Sequence, residues 1–83
     1  MKETIVRIKN PEMYKVKEYG ILQQKMNETS VINFNSNMCG LCVNIVHSDY
    51  EIISPQNCKL VNGKIIVYRN GVEINTGLEI WEK

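Results

Sequence analysis

Two Asn-Gly dipeptides, Asn62-Gly63 and Asn70-Gly71, restrict the fold more tightly than any other feature of this sequence. A two-residue type I′ turn needs positive φ at both central positions, which Asn and Gly adopt most readily, so each pair predicts a tight hairpin. Leu60-Val61, Lys64 to Arg69 and Val72 to Asn75 then read as three consecutive strands, a C-terminal β-meander. Thr76-Gly77 predicts a further turn, leading into Leu78-Glu79-Ile80-Trp81.

Composition carries the same preference through the whole chain. Its 83 residues include eleven Ile, eight Val and ten Asn but no Ala. Ala is the best helix former, and β-branched side chains fit a pleated, half-buried surface, so strands are favoured over long helices. A chain of this length is expected to be one domain, residues 1–83, burying only about 60–65 % of its unfolded surface. So small a core leaves little room for a sunken catalytic cleft, and no enzyme activity is expected.

Upstream of the meander, Thr4 to Lys9 alternates, with Val6 and Ile8 on one face and Arg7 and Lys9 on the other. Asn10-Pro11-Glu12 then has the form of a helix start, and Gly20 could close such a helix with Met13, Val16 and Gly20 along one stripe. The rival reading of the same stretch is a strand through Tyr14-Lys15-Val16-Lys17 that runs into Tyr19-Gly20-Ile21-Leu22. Ile21 to Lys25, Ser30 to Phe34, Leu41 to His47 and Asp49 to Ile53 follow as strands, with turns at Met26 to Thr29 and Asn35 to Asn37. Leu41, Val43, Ile45 and His47 would share one side of their strand.

The run Tyr19-Gly20-Ile21-Leu22, Ser30-Val31-Ile32-Asn33-Phe34, Cys42-Val43-Asn44-Ile45-Val46 and Asp49-Tyr50-Glu51-Ile52-Ile53 resembles the strand pattern of SH3-like small barrels. The resemblance covers Met13 to Ser54 and implies a small antiparallel barrel. It does not extend to ligand: the aromatic residues of an SH3 peptide groove have no counterparts here, and Leu60 to Trp81 lies outside the pattern. The expected fold is therefore mainly β, a small antiparallel SH3-like barrel or sheet with a C-terminal β-meander, and a short N-terminal helix on one of the two readings above.

Charge is unevenly placed. Met1 to Lys25 holds six Lys or Arg against three Glu, whereas Met26 to Cys58 has no basic residue at all. Nucleic-acid affinity draws on Lys and Arg neutralising phosphates, so that 33-residue stretch cannot supply such a face, and nucleic acid is not an expected partner. The cluster Lys2, Arg7, Lys9, Lys15 and Lys17 reads as a solvated face or as a contact for an acidic partner. No apolar run approaches the ~18 residues that span a bilayer, and no signal-peptide core follows Met1-Lys2-Glu3. The expected location is cytoplasmic, with no membrane partner. Three cysteines, an odd number, argue against a disulfide framework there.

Val31 to Cys58 gathers all three cysteines and the single histidine. Cys39, Cys42, His47 and Cys58 make a complete three-thiolate, one-imidazole set for a structural zinc. Against it, a regular strand from Leu41 to His47 would turn Cys42 and His47 to opposite faces, and the plainer reading is structural thiols with no cofactor. Cys39-Gly40-Leu41-Cys42 also has the spacing of a redox pair, but a strand rather than a helix is expected to follow it, so the dipole that lowers such a thiol's pKa is missing. For contacts with a partner, Trp81 falls out of phase with Leu78 and Ile80 and reads as an outward anchor or as a lid on the open end of the barrel. Tyr68 and Ile66 lie opposite Ile65 and Val67 beside Arg69, giving a strand apolar on both faces, which is either central or completed by a partner.

In size and Asn-, Ile- and Lys-rich composition the chain resembles small phage accessory proteins that inhibit host defence, of which anti-CRISPR proteins are one group. That resemblance implies a non-enzymatic module binding a host protein. Two other functions stay open: a zinc-stabilised nucleic-acid or protein-binding domain, and an oligomeric small-ligand binder, associating for instance through a C-terminal edge strand.

Overall fold

The computed structural model describes residues 2–34 and 42–80. Its elements run β1 (Ile5–Ile8), α1 (Pro11–Tyr14), β2 (Tyr19–Lys25), β3 (Thr29–Asn33), β4 (Cys42–Val46), β5 (Tyr50–Ile52), β6 (Cys58–Val61), β7 (Lys64–Arg69) and β8 (Val72–Glu79). All pairings are antiparallel and make two sheets, one in the order β4-β3-β2-β1-β5 and one in the order β6-β7-β8. The chain is thus mainly β, in the open-sheet form: β4 and β5 are the two edges of the larger sheet, which does not close on itself.

The meander forms as its turns dictate. Asn62 and Gly63 take φ 52° and 79°, and Asn70 and Gly71 take 54° and 75°, the positive pair that a type I′ turn requires. Beyond Asn75 the expected turn is absent, and β8 continues to Glu79 through a bulge. Its register against β7 passes from Ile66↔Asn75 to Lys64↔Glu79, so β8 carries two extra residues there. Gly77 absorbs them at φ 81°. Thr76 satisfies the groups the bulge strands: its hydroxyl donates to the Ile65 carbonyl (2.8 Å) and accepts from the Leu78 N–H (3.2 Å). Thr76-Gly77 therefore bends a strand instead of ending it.

Pro11 does start a helix, but only one turn of it. Lys15, in the left-handed region at φ 57°, closes it with its N–H on the Glu12 and Pro11 carbonyls. Gly20 is instead the second residue of β2, and Met13 is 75 % exposed. Strand phase overrode the stripe because Ile32 and Phe34 close over Gly20 in the sheet.

Two cores lie on opposite faces of the larger sheet. On one face Ile5, Tyr19 and Ile21 from β1 and β2 meet Ile65, Val67 and Leu78 from β7 and β8, with Ile53, Cys58, Leu60, Ile74 and Ile80 packed around them. On the other, Val6, Ile8, Ile32, Phe34, Ile45 and Tyr50 cluster with Tyr14, Val16, Leu22 and Val43. Five strands can send side chains to one cluster only if the sheet curls around it, and a register break between Leu22 and Gln24 supplies a bend in β2. Ser30 Oγ and Tyr50 Oη, both buried in this curl, lie 2.7 Å apart and satisfy each other.

Tyr14 holds the gap between the two edge strands. Its hydroxyl donates to Asp49 Oδ2 at 2.5 Å and accepts the Val46 N–H at 3.4 Å, so one side chain spans the 3-10 turn His47–Asp49 that joins β4 to β5. The carboxylate, followed by burial, raises the phenol pKa of Tyr14 above its ordinary value.

Two substitutions separate the forces at work. A Cβ on Gly20 would stand 2.5 Å from Ile32 Cγ2, 3.0 Å from Phe34 Cε1 and 3.1 Å from the Asn33 carbonyl, so Gly20→Ala should cost about 1–3 kcal/mol in urea unfolding. At Gly77 a Cβ meets nothing, yet φ 81° is strained for any side chain, so Gly77→Ala should cost only about 1 kcal/mol. Equal costs would refute the close packing assigned to Gly20. Tyr14→Phe should lose about 1 kcal/mol of stability in the same assay, and an unchanged midpoint would deny Tyr14 its bridging role.

Candidate functional site

A groove of about 300 Å³ is lined by Lys2, Glu3, Thr4, Ile5, Ile52, Ile53, Pro55, Cys58, Lys59 and Leu60. It forms because the chain leaves β5, is turned by Pro55 through the 3-10 segment Pro55–Asn57, and starts β6 in the second sheet. The two sheet edges, β5 and β6, thus come to flank the segment that leads into β1. Lining by consecutive residues is informative. Cys58, Lys59 and Leu60 point to alternating faces of β6, so all three can border one cavity only if it runs along that strand's edge.

The groove floor is apolar and its rim is charged. Ile5 is buried, Ile53, Cys58 and Leu60 are half-buried against the inter-sheet core, and Ile52 is 54 % exposed. Lys2, Glu3 and Lys59 line the rim, and Lys59 is itself paired with Glu73. Burial pushes the Cys58 thiol pKa up, so at neutral pH it is a protonated, apolar wall element instead of a nucleophile.

Over the outer face of the smaller sheet, Lys59 Nζ lies 2.7 Å from Tyr68 Oη and 3.1 Å from Glu73 Oε2, and Tyr68 Oη donates to the same carboxylate oxygen at 2.9 Å. The ammonium also sits 4.9 Å from the Tyr68 ring centroid. Hydrogen bonds that Lys59 donates to Tyr68 and then to Glu73 raise the Lys59 pKa, and those that Glu73 accepts from Lys59 and then Tyr68 lower that of Glu73. This trio follows from the turns, since the Asn70-Gly71 hairpin sets Tyr68 opposite Glu73 and the Asn62-Gly63 hairpin sets Lys59 opposite Ile66, one diagonal from Tyr68.

The residues expected to face a partner are dispersed by this arrangement. Ile66, only 8 % exposed, lies on the central strand of the smaller sheet, which accounts for a strand apolar on both faces. Tyr68 is engaged with Lys59 and Glu73. Arg69 is exposed in phase with Ile65 and Val67, on the face opposite Tyr68, close enough to act on Tyr19. Trp81 lies outside the described residues.

The thiol and imidazole set is likewise spread out. Cys42 is exposed on edge strand β4, and Cys58 belongs to the other sheet. β4 ends at Val46, so His47 leaves the strand for the 3-10 turn, where its ring meets Tyr50 edge-on at 6.0 Å. Its Nε2 is buried without a hydrogen-bond partner among the described residues. Cys39 lies outside the described residues. Among those described, no three His, Cys, Asp or Glu side chains are gathered to hold a metal ion, and no helix is long and apolar enough to cross a membrane.

Near the far end of the inter-sheet core, Arg7 and Glu18 form an ion pair at 3.2 Å whose angle is not that of a hydrogen bond. The adjacent Tyr19 hydroxyl is buried with no partner among the described residues, and burial raises its pKa. Neither the groove nor the Tyr14 bridge was marked in the sequence, because each joins segments tens of residues apart without a motif. No protein-family model, curated protein or solved structure matches the chain.

The Lys59–Tyr68–Glu73 trio predicts a defined pH response. Glu73 titrates below its ordinary value in the folded chain, so its contribution is present above the unfolded pKa and disappears as pH falls through the folded one. The melting-temperature advantage of the natural chain over Glu73→Gln should therefore be seen at pH 7, shrink below pH ~4 and weaken in ~1 M salt. An advantage independent of pH would assign it to packing. In a Cys39→Ser background, Cys42 should react with a maleimide well before Cys58, and the reverse order would contradict the burial of the Cys58 thiol.

Proposed function

We propose that this chain is a non-enzymatic protein-binding module whose contact surface is centred on the groove between β5, β6 and Lys2 to Ile5. The observation that carries this reading is the groove itself, an open apolar floor with a charged rim. Small-molecule sites occupy ~300–1,000 Å³, so its volume stands at their lower limit and better suits one or two side chains of a protein partner. Other features give support. Both faces of the β1–β2 pair are consumed in packing, which leaves no interior for a buried active site. Two pairs of titratable groups are held in structural contacts, Tyr14 with Asp49 and Lys59 with Glu73. A host protein is the class of partner implied by the likeness to small phage accessory proteins, and the curled five-stranded sheet suits the SH3-like pattern of the sequence.

Affinity capture with the purified, tagged chain tests the reading. A protein retained in stoichiometric amount, and released by Ile52→Glu on the groove rim, is the expected result. Recovery of nucleic acid alone, or of nothing, would count against it.

A further inference from the structure

We infer that Asn70 is a site of spontaneous covalent modification, deamidating through a succinimide to isoaspartate and so releasing the Lys59–Tyr68–Glu73 trio. The inference is independent of any partner and goes beyond the protein-binding reading. Its chemistry needs only water. The Gly71 backbone nitrogen attacks the Asn70 side-chain carbonyl carbon, a C–N bond forms, and ammonia leaves with the proton lost from the attacking nitrogen. Water then opens the cyclic imide at either carbonyl, giving Asp or isoaspartate, the latter with one more methylene in the main chain. No electrons are gained or lost. Gly favours the first step because it puts no side chain beside the attacking nitrogen.

Of the ten Asn in the chain, Asn62 and Asn70 alone precede Gly. Both turns hold the same positive-φ pair, so turn type does not separate them. Attack requires the Asn to rotate away from that left-handed conformation; the reaction therefore proceeds from an opened turn, and the tip that opens more readily reacts faster. A third strand holds the Asn62-Gly63 turn. There β8 reaches past the Lys64↔Glu79 pair, and the Ile80 N–H donates to the Gly63 carbonyl at 2.7 Å. The Asn70-Gly71 turn stands clear of β6, which starts at Cys58 opposite Val67, so that the Arg69↔Val72 pair lies beyond its end. Asn70 and Gly71 are exposed, Val72 is 59 % exposed, and a Cβ on Gly71 would meet nothing within 4 Å. The product has a structural effect because a two-residue turn is what sets Tyr68 opposite Glu73. An added methylene breaks that register at its source and draws Glu73 away from Lys59 and Tyr68.

The test ages the full chain at neutral pH, folded and in urea, and reads deamidation and isoaspartate at each site by peptide mass spectrometry with electron-based fragmentation. Relative to their rates in urea, Asn70 should react about fivefold faster than Asn62 in the folded chain, the ratio that one net hydrogen bond sets in an opening equilibrium. In heavy-oxygen water the product at position 70 should carry one label. Ile80→Pro, which removes the donor to the Gly63 carbonyl, should bring Asn62 up to the Asn70 rate; if that variant does not fold, the folded-to-urea comparison decides alone. Ageing should also remove the melting-temperature advantage over Glu73→Gln at pH 7, and in an Asn70→Gln background ageing should leave that advantage intact. Equal normalised rates, a faster Asn62, or product at position 70 without isoaspartate would overturn the inference. So would an Asn62 rate unmoved by a folded Ile80→Pro, or a Glu73 advantage that survives full conversion at position 70.

Discussion

The β1–β2 pair is the part on which everything else rests, because it is apolar on both faces and each face supports a different core. Ile5 and Ile21 are cross-strand partners toward the smaller sheet, while Val6 and Gly20 are partners toward the curl. A central pair buried on both sides loses the polar-out alternation of a solvated strand, and the sequence Ile5-Val6 shows this directly. Gly20 is the enabling residue: with no Cβ, it lets Ile32 and Phe34 close over β2 at distances any side chain would forbid. That requirement also explains why α1 stops after one turn, since Gly20 belongs to the strand and the chain must be extended before Tyr19.

Around this pair the chain solves two edge problems with polar side chains. Tyr14 bridges the 3-10 turn between β4 and β5 through Asp49 and Val46, and Thr76 takes up the carbonyl and amide that the β8 bulge leaves unmatched. Both are neutral hydroxyls in partly buried positions, where an unmade hydrogen bond costs about 1–3 kcal/mol and a made one returns less. Their value lies mainly in preventing loss. The Lys59–Tyr68–Glu73 trio does related work on the open face of the smaller sheet, in solvent and under salt screening, and so contributes more to the register and shape of β6 than to overall stability.

These constraints bear on function through the groove. It exists because the second sheet packs on only part of the first, leaving the β5 and β6 edges side by side with the segment before β1 between them. The two cores take up both faces of the β1–β2 pair, so the proposed contact lies where packing ends. The unpaired β6 backbone and the exposed Ile52 are the consequences of that boundary.

Local chemistry was legible from the sequence wherever it acts within a few residues. The Asn-Gly turns set the meander and the register that brings Lys59, Tyr68 and Glu73 together, alternation located β1, β3 and β4, and Pro55 marked the end of β5. Period alone could not distinguish a turn from a bulge at Thr76-Gly77, because the same positive-φ glycine serves both and only pairing with β7 decides. Nor could it place Gly20, whose role is set by Ile32 and Phe34 across the sheet, or assemble the groove from Lys2, Ile53, Pro55 and Leu60. Those outcomes depend on which faces of separate strands meet, and that is settled by the packing of two sheets against one central pair, a long-range balance of burial and close approach that no short window of residues contains.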